Sequence, residues 1–129
     1  KEKVKITNSR NFPEAELTAR FKGFMDDRGV ELSKLKIGSY ENDIYIKEKD
    51  ILIEAKPDVS SPNFRMVLGQ IIHYDYLLEK ETKQPNYVTA LFPEKPPDDF
   101  MEIFSRNKIY VIWETNKGYF DNNLPEGVL

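Results

Sequence analysis

The sequence predicts a three-layer α/β domain built on a mixed sheet, and three observations carry that expectation. Apolar residues recur at helical spacing early in the chain, and two β-branched runs then flank a polar turn. A long amphipathic stretch follows, succeeded in turn by strand-like, helix-like and strand-like runs.

The first helix is expected from Asn11 to Asp27, where Leu17, Phe21, Phe24 and Met25 form one stripe. Gly29 is placed to end it in a left-handed turn. Glu14 lies at the edge of that stripe and Glu16 points away; Asn11 and Glu14 can also form a capping box. Leu32, Leu35 and Ile37 offer a first strand that ends near Gly38. The runs Asp43-Ile44-Tyr45-Ile46 and Ile51-Leu52-Ile53-Glu54-Ala55-Lys56 flank Lys47-Glu48-Lys49-Asp50 as a hairpin. Side chains two apart in a strand share a face, so Glu54 and Lys56 point the same way, ~6.8 Å apart. Asp43 can occupy the neighbouring strand end on that face.

After the loop Pro57 to Pro62, a helix is expected from about Asn63 to Glu81. Arg65, Gly69, His73, Tyr76 and Lys80 fall on its outer arc, with Val67, Ile71, Tyr74 and Leu78 opposite. Gln70 falls on the inward side, where an amide needs a partner. Next come a strand (Tyr87 to Phe92), the breakers Pro93, Pro96 and Pro97, a helix (Asp98 to Arg106) and a strand (Ile109 to Glu114). Residues 118–129 read as a tail. The order is α-β-β-β-α-β-α-β.

Composition narrows the chemistry. A chain of 129 residues fits one domain, and Lys1 in place of methionine is what a piece excised from a longer protein would show. Cysteine is absent and there is one histidine, which excludes disulfides, thiolate or multi-imidazole zinc sites and Fe–S clusters. A bound metal would have oxygen ligands, as Mg²⁺ or Mn²⁺ prefers. The net charge of −3 argues against a broad nucleic-acid-binding surface, so any basic patch is local. With no apolar run near ~20 residues and no signal-peptide pattern, no membrane partner is expected, and the soluble interior of a cell, the cytoplasm, is the expected location.

At Asp43…Glu54-Ala55-Lys56 the chain resembles the PD-(D/E)XK nuclease superfamily, whose signature is an acid at a strand start followed by E-x-K or D-x-K at the end of the next strand. The α-β-β-β-α-β order over most of Asn11 to Phe92 is similar to that family's restriction-endonuclease-like core, here with an extra helix and strand. Glu14 matches the acid that many members carry on the first helix. Gln70-Ile71-Ile72-His73-Tyr74 looks like the Q-x-x-x-Y motif of the RecB-like branch. Asn42 stands where the pattern has proline, and the missing cysteines set the chain apart from the iron–sulfur relatives.

The resemblance implies a Mg²⁺- or Mn²⁺-dependent nuclease that hydrolyses DNA phosphodiester bonds. Asp43 and Glu54 would be metal ligands, helped by the Ala55 carbonyl, and Glu14 would support a second metal or position water through the first. Lys56 would orient the attacking water and offset developing negative charge. Gln70 and Tyr74 would brace a ligand or contact the phosphate. The implied partner is DNA as a duplex, junction or end, with a homodimer or a larger nuclease and motor assembly compatible.

Plainer readings stand beside these. Glu54 and Lys56 could be a surface pair worth ~0.2–1 kcal/mol, Asp43 a residue starting a strand, and Gln70 and Tyr74 core residues with satisfied polar tips. Glu81-Thr82-Lys83 repeats the E-x-K string at a polar helix end, so the string alone is cheap. The alternative function is a catalytically silent nucleic-acid-binding or regulatory domain with the same fold.

Overall fold

A computed structural model describes the backbone of residues 2–129 and the side chains of 12–42 and 44–129. Its elements are α1 (Glu2–Asp26), β1 (Ser33–Ile37), β2 (Tyr40–Ile46), β3 (Ile51–Ala55), α2 (Ser61–Lys80), β4 (Tyr87–Phe92), α3 (Asp98–Arg106), β5 (Ile109–Asn116) and β6 (Tyr119–Asn122). Among the described residues no helix is long and apolar enough to cross a membrane.

The strands form one sheet in the order β1-β2-β3-β4-β5-β6. The β3–β4 and β4–β5 pairs are parallel and the others antiparallel, so the fold is α/β with a mixed sheet. Helix α1 covers one face: Leu17, Phe21 and Met25 pack with Ile44, Ile46, Ile51, Ile53, Leu91 and Ile112. Helices α2 and α3 cover the other, where Phe64, Val67, Ile71 and Phe104 meet Ala90, Phe92, Ile109 and Val111. Tyr74 and Leu78 complete that face against Ile37 and Leu52. Strand β3 thus sends Ile51 and Ile53 to α1 and Leu52 to α2, the period of two expected of a strand covered on both sides. Each large apolar side chain removed from water in this way contributes ~1.5–3 kcal/mol.

Several expectations need correction. Helix α1 runs continuously through position 11, with Pro13 inside it, so no helix start exists there for an Asn11–Glu14 capping box; the Asn11 side chain itself lies outside the described residues. Strand β2 begins at Tyr40 rather than Asp43, because Tyr40, Glu41 and Asn42 pair with Ile37, Lys36 and Leu35 of β1. Residues 118–129 are not a bare tail. Gly118 turns the chain at φ 83°, β6 pairs antiparallel with β5, and Leu124 is buried.

That last turn is tied to α1 by charge. Arg20 Nε and Nη2 donate to the Glu114 carboxylate at 2.7 and 2.9 Å, and the Gly118 N–H donates to it at 2.8 Å. Burial pushes the Glu114 carboxyl upward, but the Arg20 and Gly118 hydrogen bonds and the nearby Arg20 and Lys117 charges outweigh it, leaving its pKa below the ordinary 4.5. A depressed folded-state pKa stabilises the fold above the unfolded-state value, and that stability is lost as pH falls through the folded one. Urea unfolding should therefore show stability dropping below about pH 4.5, with a shallower drop in Glu114→Gln. Equal slopes for the two proteins would remove Glu114 as the cause.

The centre of the sheet contains a fork. Strands β2 and β3 pair from Ile46↔Ile51 to Ile44↔Ile53; beyond that point β2 continues along β1 and β3 along β4. The β1–β2 register also shifts between Ser33 and Leu35, an irregularity of the kind that bends a strand. Asn42 bridges the fork: it is 2% exposed, and its Nδ2 donates to the Ile53 carbonyl at 2.7 Å. Asn42→Ala should cost about 1–3 kcal/mol, read as a lower urea midpoint. An unchanged midpoint would show that the fork does not depend on this bridge.

Candidate active site

A cavity of about 570 Å³ opens where the strands part, lined by Glu14, Ala15 and Thr18 of α1, Glu41 and Ile44 of β2, Ile53, Glu54 and Ala55 of β3, and Gln70 and Tyr74 of α2. Each wall follows from the packing already described. Leu17 and Phe21 seat α1 on its face of the sheet, and Glu14 and Thr18, one helical turn apart, then share a side of the helix. Val67, Ile71 and Leu78 seat α2 on the opposite face.

The start of α2 is fixed by a local network. Ser60 caps the helix by accepting the Asn63 N–H, while Asp58 accepts the Ser60 N–H at 2.9 Å and Asn63 Nδ2 at 2.7 Å. Hydrogen bonds from Ser60 and then Asn63 hold the Asp58 carboxyl below its usual range. From that start the buried face of Phe64, Val67, Ile71 and Leu78 turns Tyr74 inward with it.

Lys56 follows directly on β3. Its backbone N–H still donates to Leu91 O at 3.0 Å, which carries the strand's direction one residue further. The side chain is nearly buried, with Nζ 3.9 Å from Glu54 Oε2 and 3.3 Å from Met66 Sδ. A lysine at 6% exposure with a carboxylate at that distance is not the solvated surface pair of the plainer reading. Glu54 is half-buried, Glu14 is half-buried, and Glu16 is exposed.

Five of the expected site residues, Glu14, Glu54, Ala55, Gln70 and Tyr74, thus line one cavity, and Lys56 contacts one of them. The side chain of the seventh, Asp43, lies outside the described residues. Its backbone belongs to β2, next to Ile44 at the fork. His73 and the decoy Glu81-Thr82-Lys83 are exposed, as expected of surface residues.

Sequence reasoning passed over four contributors, one of them Glu41, which lines the cavity. Asn42 counted only as a missing proline, and the irregular register between it and Tyr45 leaves no simple alternation from which its burial could be read. Thr18 was legible from its spacing to Glu14. Met66, half exposed yet in contact with the Lys56 ammonium, left no signal in the sequence.

The donor set suits a hard cation. Carboxylate oxygens of Glu14 and Glu54 and the amide of Gln70 line the cavity, and the buried Gln70 Oε1 has no hydrogen-bond partner among the described residues. Buried acceptors are satisfied as a rule, so such an atom on a cavity wall fits an additional ligand. Among the described residues no group of three or more His, Cys, Asp or Glu could hold a metal ion; a complete carboxylate set would need Asp43. A second opening of about 770 Å³, lined by Gly29, Glu31, Ser33, Lys47 and Glu48, contains none of the expected site residues. No protein-family model, curated protein or solved structure matches the chain.

Proposed function

We propose that this chain is a Mg²⁺- or Mn²⁺-dependent nuclease of the PD-(D/E)XK type, RecB-like branch, hydrolysing phosphodiester bonds in DNA. The observation that carries the reading is convergence: Glu14 from α1, Glu54 and Ala55 from β3, and Gln70 and Tyr74 from α2 line one cavity, with Lys56 against Glu54. Residues far apart in sequence, selected by their resemblance to one motif set, meet at one place. The α-β-β-β-α-β order from α1 to β4, with helices on both faces, supports a restriction-endonuclease-like core carrying α3, β5 and β6 as additions.

Glu54, Asp43 and the Ala55 carbonyl would hold the cation, with Glu14 supporting a second ion or a water of the first. When bound, the metal supplies Lewis-acid activation of water and of the scissile phosphate. Lys56 Nζ stands beside Glu54, where it orients the attacking water and offsets charge building on the phosphate oxygens. A water oxygen bonds to phosphorus as that water gives up a proton to solvent, the bond to the leaving oxygen breaks, and the leaving oxygen takes up a proton from solvent. Gln70 and Tyr74 position the phosphate from the α2 side.

A silent binding domain of the same fold is favoured by the net charge of −3 and by the contacts that already engage Lys56. Plasmid, linear, single-stranded, flapped and four-way DNA incubated with Mg²⁺ or Mn²⁺ separate the two. Metal-dependent cutting of any of them by the wild type, and not by Lys56→Ala, supports the enzyme. Binding without cutting across the panel supports the silent domain.

A further inference from the structure

At the rim of the cavity stands an exposed aromatic ring that the nuclease reading does not use. Tyr40, the first residue of β2, is 47% exposed. It is flanked by cavity-lining residues in two senses: Glu41 follows it in sequence, and its ring lies 6.2 Å from that of Tyr74 at 51°. His73, also exposed, packs edge-on against the Tyr40 ring at 5.4 Å and 73°. Two α2 side chains therefore hold the ring in place while about half of the residue faces solvent.

Contacts of this kind restrict the ring before any ligand arrives, which lowers the entropic cost of stacking a planar partner on it. The charge balance says what kind of partner. The cavity is lined by Glu14, Glu41 and Glu54, and the chain carries a net charge of −3. Lys34, near Tyr40 along the β1–β2 hairpin, is already 3.8 Å from Glu41. Duplex binding draws most of its affinity from cations that neutralise phosphates, and among the described residues no lysine or arginine lines the cavity. Stacking on an aromatic ring accepts any base and adds affinity beyond what backbone contacts to cations supply. Bases inside a duplex are already stacked and offer no face to such a ring.

We infer that Tyr40, braced by His73 and Tyr74, is a stacking platform for an unpaired base of a nucleic-acid strand entering the cavity, so that the substrate is a single strand, a flap or a frayed end. The inference rests on the proposed nuclease reading for the strand's destination, but the platform can be measured without cutting.

Fluorescence anisotropy in EDTA, with labelled single-stranded DNA, single-stranded RNA and blunt duplex oligomers, reads it directly. Tyr40→Ala should weaken single-strand binding about 5- to 150-fold, the range that loss of one stacked base gives. Tyr40→Phe and Tyr40→Trp should bind nearly as the wild type, and duplex affinity should not move. Dependence on Tyr40 for either the DNA or the RNA strand supports the platform and names the sugar it accepts. Equal single-strand affinity for wild type and Tyr40→Ala overturns it. So does equal loss in Tyr40→Ala and Tyr40→Phe, which would assign the effect to the hydroxyl, and so does an equal loss for single strand and duplex. Ring-dependent binding with no cutting in Mg²⁺ or Mn²⁺ would sink the nuclease reading alone; cutting with no ring dependence would sink the platform alone.

Discussion

Replacing Lys56 with alanine should lower metal-dependent cutting about 10²–10³-fold, the usual cost of removing one positioned donor from a charged transition state, while nucleic-acid affinity in EDTA stays close to wild type. The prediction follows from where the ammonium sits. It is nearly buried, 3.9 Å from Glu54 Oε2, on the strand that delivers Glu54 and Ala55 to the cavity. A purely structural lysine would give a different pattern, with lost stability and with binding and cutting falling together. Because truncation also removes a buried aliphatic stem, Lys56→Met is the companion variant: it keeps the packing and deletes the charge. Loss of cutting in both variants at unchanged melting temperature is the expected result. If Lys56→Met cut as well as the wild type, the ammonium would have no role in the chemistry.

The second large effect belongs to the carboxylates. Glu54→Gln and Asp43→Asn preserve shape and remove the charge that a divalent cation requires. Each should lower cutting at least about 10²-fold, and each should weaken Mn²⁺ binding measured by calorimetry. Glu14→Gln should cost less, about 10- to 100-fold, as is typical of a group that acts through a ligand or a water. Unchanged Mn²⁺ affinity in Glu54→Gln would place the metal elsewhere. Retained Mn²⁺ affinity in Asp43→Asn alone would leave Glu54 as a ligand and withdraw the role given to Asp43.

The elements that the sequence made legible share a cause: their apolar pattern has one period and one environment. The inward face of α2, with Val67, Ile71, Tyr74 and Leu78, can be read residue by residue because a surface helix has a single buried stripe. Its outer arc of Arg65, Gly69, His73, Tyr76 and Lys80 is exposed throughout. Strand β4 and helix α3 have the expected bounds, set by Asn86 and Pro93 around one and by Pro97 and Asn107 around the other.

What escaped depends on partners distant in sequence. Strand β2 starts early because β1 supplies hydrogen bonds to Tyr40, Glu41 and Asn42, residues with little strand character of their own as a group. Strand β6 exists because β5 and the Glu114–Arg20 clamp give the chain after Gly118 something to pair with. The fork between β2 and β3, which opens the cavity, is a statement about which strand pairs with which, and no local pattern contains it. The residues expected at the site could be named from their types and spacing, whereas the fork beside which five of them line one cavity could not. Asn42 illustrates the gap. Its residue type looked like a departure from a motif, while its buried amide ties the two strands together.

A crystal of the wild-type protein grown with Mn²⁺ and measured at a wavelength where manganese scatters anomalously would locate the cation outright. One ion in the cavity between α1 and α2, with carboxylate oxygens of both Asp43 and Glu54 at about 2.1 Å and Lys56 on the same side of the sheet, is the result expected. An Asp43 carboxylate on the far side of the sheet from Glu54 and Lys56, or a cavity that stays free of manganese while the ion binds elsewhere, would contradict the hydrolase assignment.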